Sequence, residues 1–501
     1  MIKGRMAALL ALLTAGAMAA GAEQRVEVYS GNPHYFAMDG EPVFLVGATY
    51  PHGWTPISRP EIDYMRTLDR LAEEVERAGS DNVRGLLRCL PYDPLNHMHD
   101  GDVTEVIQPW RQVDDEGRYD LTEFEPEWEE RLRHYLGAAK ERGFVVGLEV
   151  WDDWSVTRGV NGAWDPGEGA AWNGHPFNPD NNVNYGADVL PTTTQGCGAP
   201  FYQTLPDKEN IAEALAHQHA YVDHLLGIVA DYPNVLLTLS NETRADLAWS
   251  RYWAEYIRER AEPWRLVGEM PSTNRQDGGG ECDYDLNPLT LATDDRYGYV
   301  DIAQGVSRHE FGADPVEQAI GGAERIQLYF DAMNEAGAVK PLLVVKDYTN
   351  DQQNGPIVHW SRFLAGAASS RFHRSFDDDP EQRVEAQFQV AGSLAHVAGQ
   401  IPFWEMAPNP GLIESAPGDT RPLVLAQPGA HYLVQFVNAS AGEATLAAEA
   451  GVYTVTWRDP VTADIIGEPA AASAEDGAPL TLSIPEGHGH IIAHVAAESG
   501  G

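Results

Sequence analysis

The segment Val235-Leu-Leu-Thr-Leu-Ser-Asn-Glu242 is an apolar run that ends in an amide and a carboxylic acid. The run Val235–Leu239 is typical of a strand buried on both faces, as in parallel sheets. Helical patterns flank it, over Ile211–Ala230 and Asp246–Arg260. Polar residues at the carboxyl end of such a strand mark the catalytic face of a (β/α)8 barrel. The alternative is a helix start that Asn241 caps.

Strand-then-helix units recur along the chain, and this alternation predicts a parallel sheet. Eight such units favour an α/β fold of the (β/α)8 TIM-barrel type. An open, doubly wound sheet is the alternative, but no Gly-x-Gly-x-x-Gly motif follows the first strand. The predicted strands are Val43–Gly47, Val83–Leu87, Phe144–Val150, Val235–Leu239, Arg265–Met270, Val300–Gln304, Leu342–Lys346 and Ser370–His373.

The length of 501 residues predicts more than one domain. Residues 1–22 combine a basic start, an apolar run and small residues, which is typical of a cleaved signal peptide. Residues 23–407 form the predicted barrel, with an N-terminal hairpin and a long insertion over 151–207. Residues 408–501 contain short alternating strands and predict a small all-β sandwich domain.

A formal net charge of -41 argues against partners such as nucleic acid or anionic membranes. No apolar run after the signal peptide is long enough to insert into a membrane. The sequence therefore predicts a secreted or periplasmic protein. Of the three cysteines, Cys197 and Cys282 lie in Gly-rich loops and are the better candidates for a disulfide.

Four stretches carry a resemblance to a known family: Tyr35–Gly47, Asn241-Glu242, Trp360–Arg374 and Trp457-Arg-Asp-Pro460. The pattern resembles the apiosidase-like glycosidases, which belong to the retaining (β/α)8 clan with Asn-Glu at the end of strand four. Their C-terminal β-sandwich is of a collagen-binding type, although no feature of this sequence selects collagen. The resemblance implies a glycoside hydrolase that acts on an oligo- or polysaccharide of plant, algal or microbial origin, with no cofactor and no metal.

Glycoside hydrolysis by retention needs two carboxyl groups on either side of the scissile bond. The resemblance implies that Glu242 is the acid/base and that Asn241 forms a hydrogen bond to the sugar hydroxyl beside the reacting carbon. The clan has a glutamate nucleophile at the end of strand seven, where this chain has Asp347. Asp347 is therefore the predicted nucleophile, one methylene shorter. The rival carboxylates are Glu149, Glu269 and Glu310.

Further candidates for substrate binding lie at or near the carboxyl ends of predicted strands. Arg84 could hold the nucleophile's charge or form a structural ion pair. Histidines could bond sugar hydroxyls, and tryptophans could stack on sugar faces or pack in the core. The candidates are Arg84, His52, Trp54, Trp151, His309 and Glu310, with Arg371, His373 and Arg374 closing strand eight. The missing strand-seven glutamate also raises an alternative function, a non-catalytic carbohydrate-binding or adhesion protein on a degenerate barrel.

Overall fold

The computed structural model describes residues 24–49, 57, 64–92, 107–157, 171–193, 198–272, 285–347, 355–373 and 380–498. Of residues 171, 308, 309 and 380–383 only the backbone is described. The predicted signal peptide, His52, Trp54, Arg374 and the Cys197–Cys282 pair lie outside these ranges, as does the side chain of His309.

The main sheet begins with three short antiparallel strands and continues with parallel strands. The strands up to residue 371 are β1 Val26–Val28, β2 Phe36–Met38, β3 Glu41–Gly47, β4 Val83–Cys89, β5 Trp110–Gln112, β6 Tyr119–Phe124, β7 Val145–Asp152, β8 Val235–Asn241, β9 Val267–Glu269, β10 Tyr299–Asp301, β11 Leu342–Leu343 and β12 Ser369–Arg371. β1, β2 and β3 pair antiparallel. β3, β4, β7, β8, β9, β10 and β11 then follow one another in parallel, and β12 lies parallel to β3. β5 and β6 pair separately.

All eight predicted strands are found, so the predicted mixed α/β architecture with a parallel sheet is confirmed. Val43, Leu45, Leu86, Leu236 and Leu343 form one fully buried cluster. These residues come from β3, β4, β8 and β11, so these strands bury one face against one another. Such burial contributes about 25 cal/mol per Å² of apolar surface.

Helices connect the strands and cover their other face. They are α1 Tyr64–Glu76, α2 Pro126–Glu141, α3 Asp153–Thr157, α4 Ala212–Val229, α5 Leu247–Arg260, α6 Pro288–Thr293, α7 Arg308–Phe311, α8 Pro315–Ala336, α9 Gly355–Leu364 and α10 Pro380–Ala398. Local chemistry sets their ends. The Asp314 side chain accepts a hydrogen bond from the Val316 N–H at the start of α8, and Gly337 ends that helix with a φ of 65°.

Two antiparallel sheets follow α10. Their strands are β13 Ala407–Pro408, β14 Ile413–Ser415, β15 Arg421–Gln427, β16 His431–Val437, β17 Gly442–Leu446, β18 Gly451–Arg458, β19 Ala470–Ala474, β20 Leu480–Ile484 and β21 His490–Ala497. One sheet has the order β13-β15-β16-β21-β18-β19, and the other has the order β14-β17-β20. Both contribute to one buried apolar cluster, for example through Phe436 and Leu482.

The C-terminal sheets dock on α9. The Trp360 indole N–H donates to the Pro460 carbonyl at 2.8 Å, and the Gln435 amide donates to the Ile357 carbonyl at 2.7 Å. The Trp457–Pro460 stretch, identified from the sequence, therefore lies at this junction. Within the described ranges, no helix has the length and apolar character needed to span a membrane.

Candidate active site

Glu242 follows directly after β8, and its backbone has an unusual conformation. Its φ is 51°, in the left-handed region that residues other than glycine rarely adopt. The residue is 9% exposed. Backbone strain of this kind costs on the order of 1–3 kcal/mol and concentrates at functional sites. The fold therefore holds the Glu242 side chain in one direction at an energetic cost.

Three donors from three parts of the chain surround the Glu242 carboxylate. The Trp154 indole N–H donates to Oε2 at 2.8 Å, while the Gln304 amide and the Lys346 ammonium donate to Oε1 at 2.8 Å and 2.7 Å. Trp154 lies on α3, Gln304 follows β10, and Lys346 follows β11. Hydrogen bonds to a carboxylate stabilise its negative charge.

Asn241 is fixed by a second set of contacts. Its amide oxygen accepts from Arg88 at 2.9 Å and from Lys346, and its amide nitrogen donates to Asp152 at 2.7 Å. The N-cap of the next helix is Asp246, whose side chain accepts from the Trp249 N–H. The capping alternative for Asn241 is therefore wrong, and its side chain belongs to the network around Glu242.

Five ionisable side chains are buried in the carboxyl-terminal halves of their strands or just beyond them, and we call them the polar floor: Arg88, Glu149, Asp301, Lys346 and Arg371. Arg88 binds Glu149 through two hydrogen bonds of 2.6 Å each. Burial and the nearby Arg88 guanidinium lower the pKa of Arg371 to about 10. Burial and Arg88 also lower the pKa of Lys346, against the opposing effect of Glu242.

Asp301 differs from Glu149, the other carboxylate of the polar floor. Its Oδ1 accepts from the Ala303 N–H at 2.9 Å, whereas its Oδ2 is buried with no hydrogen-bond partner among the described residues. Burial raises the pKa of Asp301 to about 7, although the Ala303 N–H and Lys346 counteract it. A carboxyl group with this pKa is about half protonated at pH 7 and mostly protonated in weak acid.

The contacts of Asp347 do not support the nucleophile role predicted for it. Its Oδ1 accepts from Arg362 at 3.3 Å, its Oδ2 accepts from the Ser370 hydroxyl at 2.8 Å, and His359 lies 3.7 Å away. These partners belong to α9 and β12. Burial is the largest single effect and opposes ionisation, but Arg362, His359 and Ser370 together outweigh it, so the pKa of Asp347 lies below its ordinary value. From this stretch it is Lys346 that contacts Glu242.

The rival carboxylates have structural partners. Glu269 accepts from the Ser240 and Met270 N–H groups at 3.1 and 3.0 Å and from the Ser250 hydroxyl at 2.8 Å, and burial raises its pKa to about 8. Glu310 pairs with Arg325 on α8 at 2.8 Å. Glu149 is close to the site, but both of its oxygens bind Arg88.

Two predicted substrate contacts need correction. Arg84 lies at the start of β4, where its side chain pairs with Asp81 at 3.1 Å; Arg88, near the end of the same strand, is the arginine of the site. Trp151 is 1% exposed and packs against aromatic rings, including Phe201 at 5.5 Å, so it is a core residue.

Sequence reasoning missed several residues of the network. Asp152 and Trp154 follow the predicted third strand, and Asp301 and Gln304 lie within the predicted sixth strand. Their position at the carboxyl ends of strands was the available signal. Lys346 ends the predicted seventh strand, and the sequence predicts no role for it in the site.

No protein-family model and no curated protein matches this chain. Several solved structures match this chain in fold. A glycoside hydrolase family 5 protein from Bacteroides vulgatus is 13% identical, with a TM-score of 0.56, over 95% of this chain and 94% of that chain. A second structure, described as a glycoside hydrolase, is 12% identical, with a TM-score of 0.56, over 96% of this chain and 98% of that chain. This likeness establishes the fold. It extends over nearly the whole chain.

Proposed function

We propose that this protein hydrolyses glycosidic bonds in a plant, algal or microbial oligo- or polysaccharide, with two carboxyl groups and retention of configuration. The observation that carries the proposal is the Glu242 carboxylate. It lies after the fourth parallel strand, on a strained backbone, and is oriented by Trp154, Gln304 and Lys346. The adjacent Asn241 is suited to hold a sugar hydroxyl.

The same proposal includes a closed (β/α)8 barrel and a C-terminal β-sandwich. Closure is supported by β12 beside β3, and by backbone hydrogen bonds from Ala368 to Leu342 at 2.9 Å and from Asp347 to Arg371 at 2.8 Å. In a closed barrel the loops after all strands converge on one face, where sugars would bind. We also propose that residues 1–22 direct export, so that the substrate is an external glycan.

The names of the structural neighbours agree with this proposal, since both are glycoside hydrolases. At 12–13% identity they share the fold, and one fold supports many activities. The argument for hydrolysis therefore rests on the site.

The substitution Glu242→Gln tests the proposed function. We expect turnover of a glycan that the wild-type protein hydrolyses to fall by about 10³-fold or more, since the variant lacks the reacting carboxylate. Far-ultraviolet circular dichroism and glycan affinity should change little, because the amide keeps the shape of the side chain. Product formation would be followed as new reducing ends on a panel of plant, algal and microbial polysaccharides.

The control is Glu123→Gln, which removes a carboxylate from an exposed pair with Arg111. It should hydrolyse the glycan at the wild-type rate. Wild-type activity in Glu242→Gln would refute the proposed function.

A specific observation favours a second candidate, a glycan-binding protein without turnover. Lys346 satisfies the oxygens of both Asn241 and Glu242, and its ammonium opposes the positive charge that develops on the sugar during hydrolysis. This candidate predicts heat of binding in calorimetry without new reducing ends. Detectable product from the wild-type protein would exclude it.

A further inference from the structure

Lys346 joins the two residues at the end of β8. Its ammonium donates to the Asn241 amide oxygen and to Glu242 Oε1, the latter at 2.7 Å. The side chain of Lys346 is 1% exposed and that of Glu242 is 11% exposed. A cation in direct contact with a carboxylate favours the ionised form, and burial strengthens this effect. Lys346 therefore acts on the carboxyl group that the proposed hydrolysis uses.

Glu242 is the carboxylate that binds this ammonium. The charged groups that interact with Lys346 are Arg88 on β4, Glu149 on β7, Asp301 on β10 and Glu242 after β8. Both oxygens of Glu149 bind Arg88 instead. Among the described residues, Glu242 is the carboxylate within hydrogen-bond distance of Lys346.

The effect of the two groups on one another is mutual. Burial and Arg88 lower the pKa of Lys346, whereas Glu242 raises it. Coupling between two binding sites is reciprocal, and this holds for two sites that bind protons. Because Glu242 favours the charged form of Lys346, Lys346 disfavours proton uptake by Glu242 to the same degree.

The hydrogen bonds distinguish the two oxygens of Glu242. Lys346 and Gln304 both donate to Oε1, at 2.7 and 2.8 Å, whereas the Trp154 indole donates to Oε2 at 2.8 Å. A carboxyl oxygen has two lone pairs, so these two donors engage Oε1. A proton that Glu242 takes up therefore belongs on Oε2. Lys346 thus helps to fix which oxygen carries the proton.

We propose that Lys346 is a positioning residue of the proposed hydrolase, which orients Glu242 for proton donation and sets the pH at which Glu242 loses that proton. The inference rests on the proposed function, with Glu242 as the acid/base. It gives the seventh parallel strand a part in the site through its lysine, since Asp347 is bound by Arg362 and Ser370.

The direction of the effect follows from the charge of Lys346. Proton donation requires the carboxylic acid form of Glu242, and a neighbouring ammonium favours the carboxylate. A rate that depends on this proton should therefore fall as the pH rises through the ionisation of Glu242. Without the ammonium, the same decrease should occur at higher pH.

The pH dependence of kcat/KM in Lys346→Met tests the proposal. The substrates are the 4-methylumbelliferyl glycosides of mannose, glucose, galactose, xylose and arabinose in both anomeric forms, because this leaving group benefits from a proton donor. In Lys346→Met the decrease of kcat/KM at high pH should move upward by about one pH unit or more. In Lys346→Arg, which keeps the positive charge, the decrease should stay close to its wild-type position.

A second leaving group separates Glu242 from other titrating residues. A 2,4-dinitrophenolate leaves without protonation, so kcat/KM for the dinitrophenyl glycoside of the accepted sugar should lack this decrease in wild type and variant. Asp301 also interacts with Lys346, but its ionisation would affect both substrates. An equal shift with both substrates would assign the effect to a group other than Glu242 and overturn the proposal.

The matched control is Lys340→Met. Lys340 is also a buried lysine, but it precedes β11 and donates to the Leu291 and Asp294 carbonyls. Its loss should leave the pH of the decrease unchanged. If circular dichroism shows that Lys346→Met does not fold, Lys346→Gln serves in its place, because its amide removes the charge and can still donate a hydrogen bond.

Each outcome decides the question. A decrease at the wild-type pH in Lys346→Met, with activity lowered equally at every pH, would show a purely structural role and overturn this assignment alone. Absence of wild-type turnover across the whole panel would instead overturn the proposed function, and the assignment with it.

Discussion

At the scale of single residues, Lys346 determines the electrostatics of the site. The strand that carries it ends in Lys346-Asp347, and the aspartate is the obvious substitute for a missing glutamate. However, the long lysine side chain reaches Asn241 and Glu242, while Asp347 is engaged by Arg362. Residue type alone predicts that Asp347 acts in the site. The contacts instead place the neighbouring cation, Lys346, beside Glu242.

Glu242 and Asn241 could be predicted from the sequence because both follow a strongly apolar strand. Trp154 and Gln304 could not be predicted as their partners, since the contacts span 88 and 62 residues along the chain. The burial that raises the pKa of Asp301 is likewise a property of the folded molecule. Sequence patterns locate strand ends, whereas packing decides which side chains meet there.

Glu269 gives a residue-scale prediction of pH-dependent stability. Its folded pKa of about 8 lies above the ordinary value of 4.5, so the unfolded chain loses this proton first. The free energy of unfolding should therefore fall between pH 4.5 and 8, by up to about 1.4 kcal/mol per pH unit from this group. Glu269→Gln removes the titration, so urea unfolding should show a weaker decrease. Equal decreases in variant and wild type would contradict this.

At the scale of elements, the predicted strands were found with boundaries that shift by a few residues. One of the larger differences is at β11, predicted over Leu342–Lys346 and observed over Leu342–Leu343. The reason is local, because the Val344 N–H donates to the Ser369 hydroxyl at 2.7 Å instead of a backbone carbonyl. A side-chain hydrogen bond that replaces a backbone hydrogen bond of the sheet cannot be predicted from the spacing of apolar residues.

The two arginines of β4 provide an element-scale prediction. Arg88 is buried in its pair with Glu149, whereas Arg84 pairs with the exposed Asp81. Arg88→Met should cost about 3–5 kcal/mol of unfolding free energy, because it leaves Glu149 charged and buried. Arg84→Met, the matched control, should cost less than about 1 kcal/mol. Urea denaturation measures both, and equal losses would show that Arg88 is not a buried partner.

At the scale of the whole molecule, two parts of the chain meet at α9. Residues on this helix hold Asp347 through Arg362 and bind the C-terminal sheets through Trp360. The sequence predicted a change from α/β to all-β patterns near residue 408, and β13, Ala407–Pro408, already pairs with β15. The predicted boundary itself stays a prediction. The docking contacts could not be predicted because they join distant segments.

The proposed hydrolysis depends on the Glu242 carboxyl group as one of the two reacting groups. The most direct measurement is azide rescue of Glu242→Ala with a dinitrophenyl glycoside of the sugar that the enzyme accepts. Azide is a small anion that can enter the space left by the carboxylate and attack the anomeric carbon. We predict that turnover of this variant is low without azide, rises when azide is added, and yields a glycosyl azide. Wild-type turnover of the variant without azide, or no response to azide, would contradict this prediction.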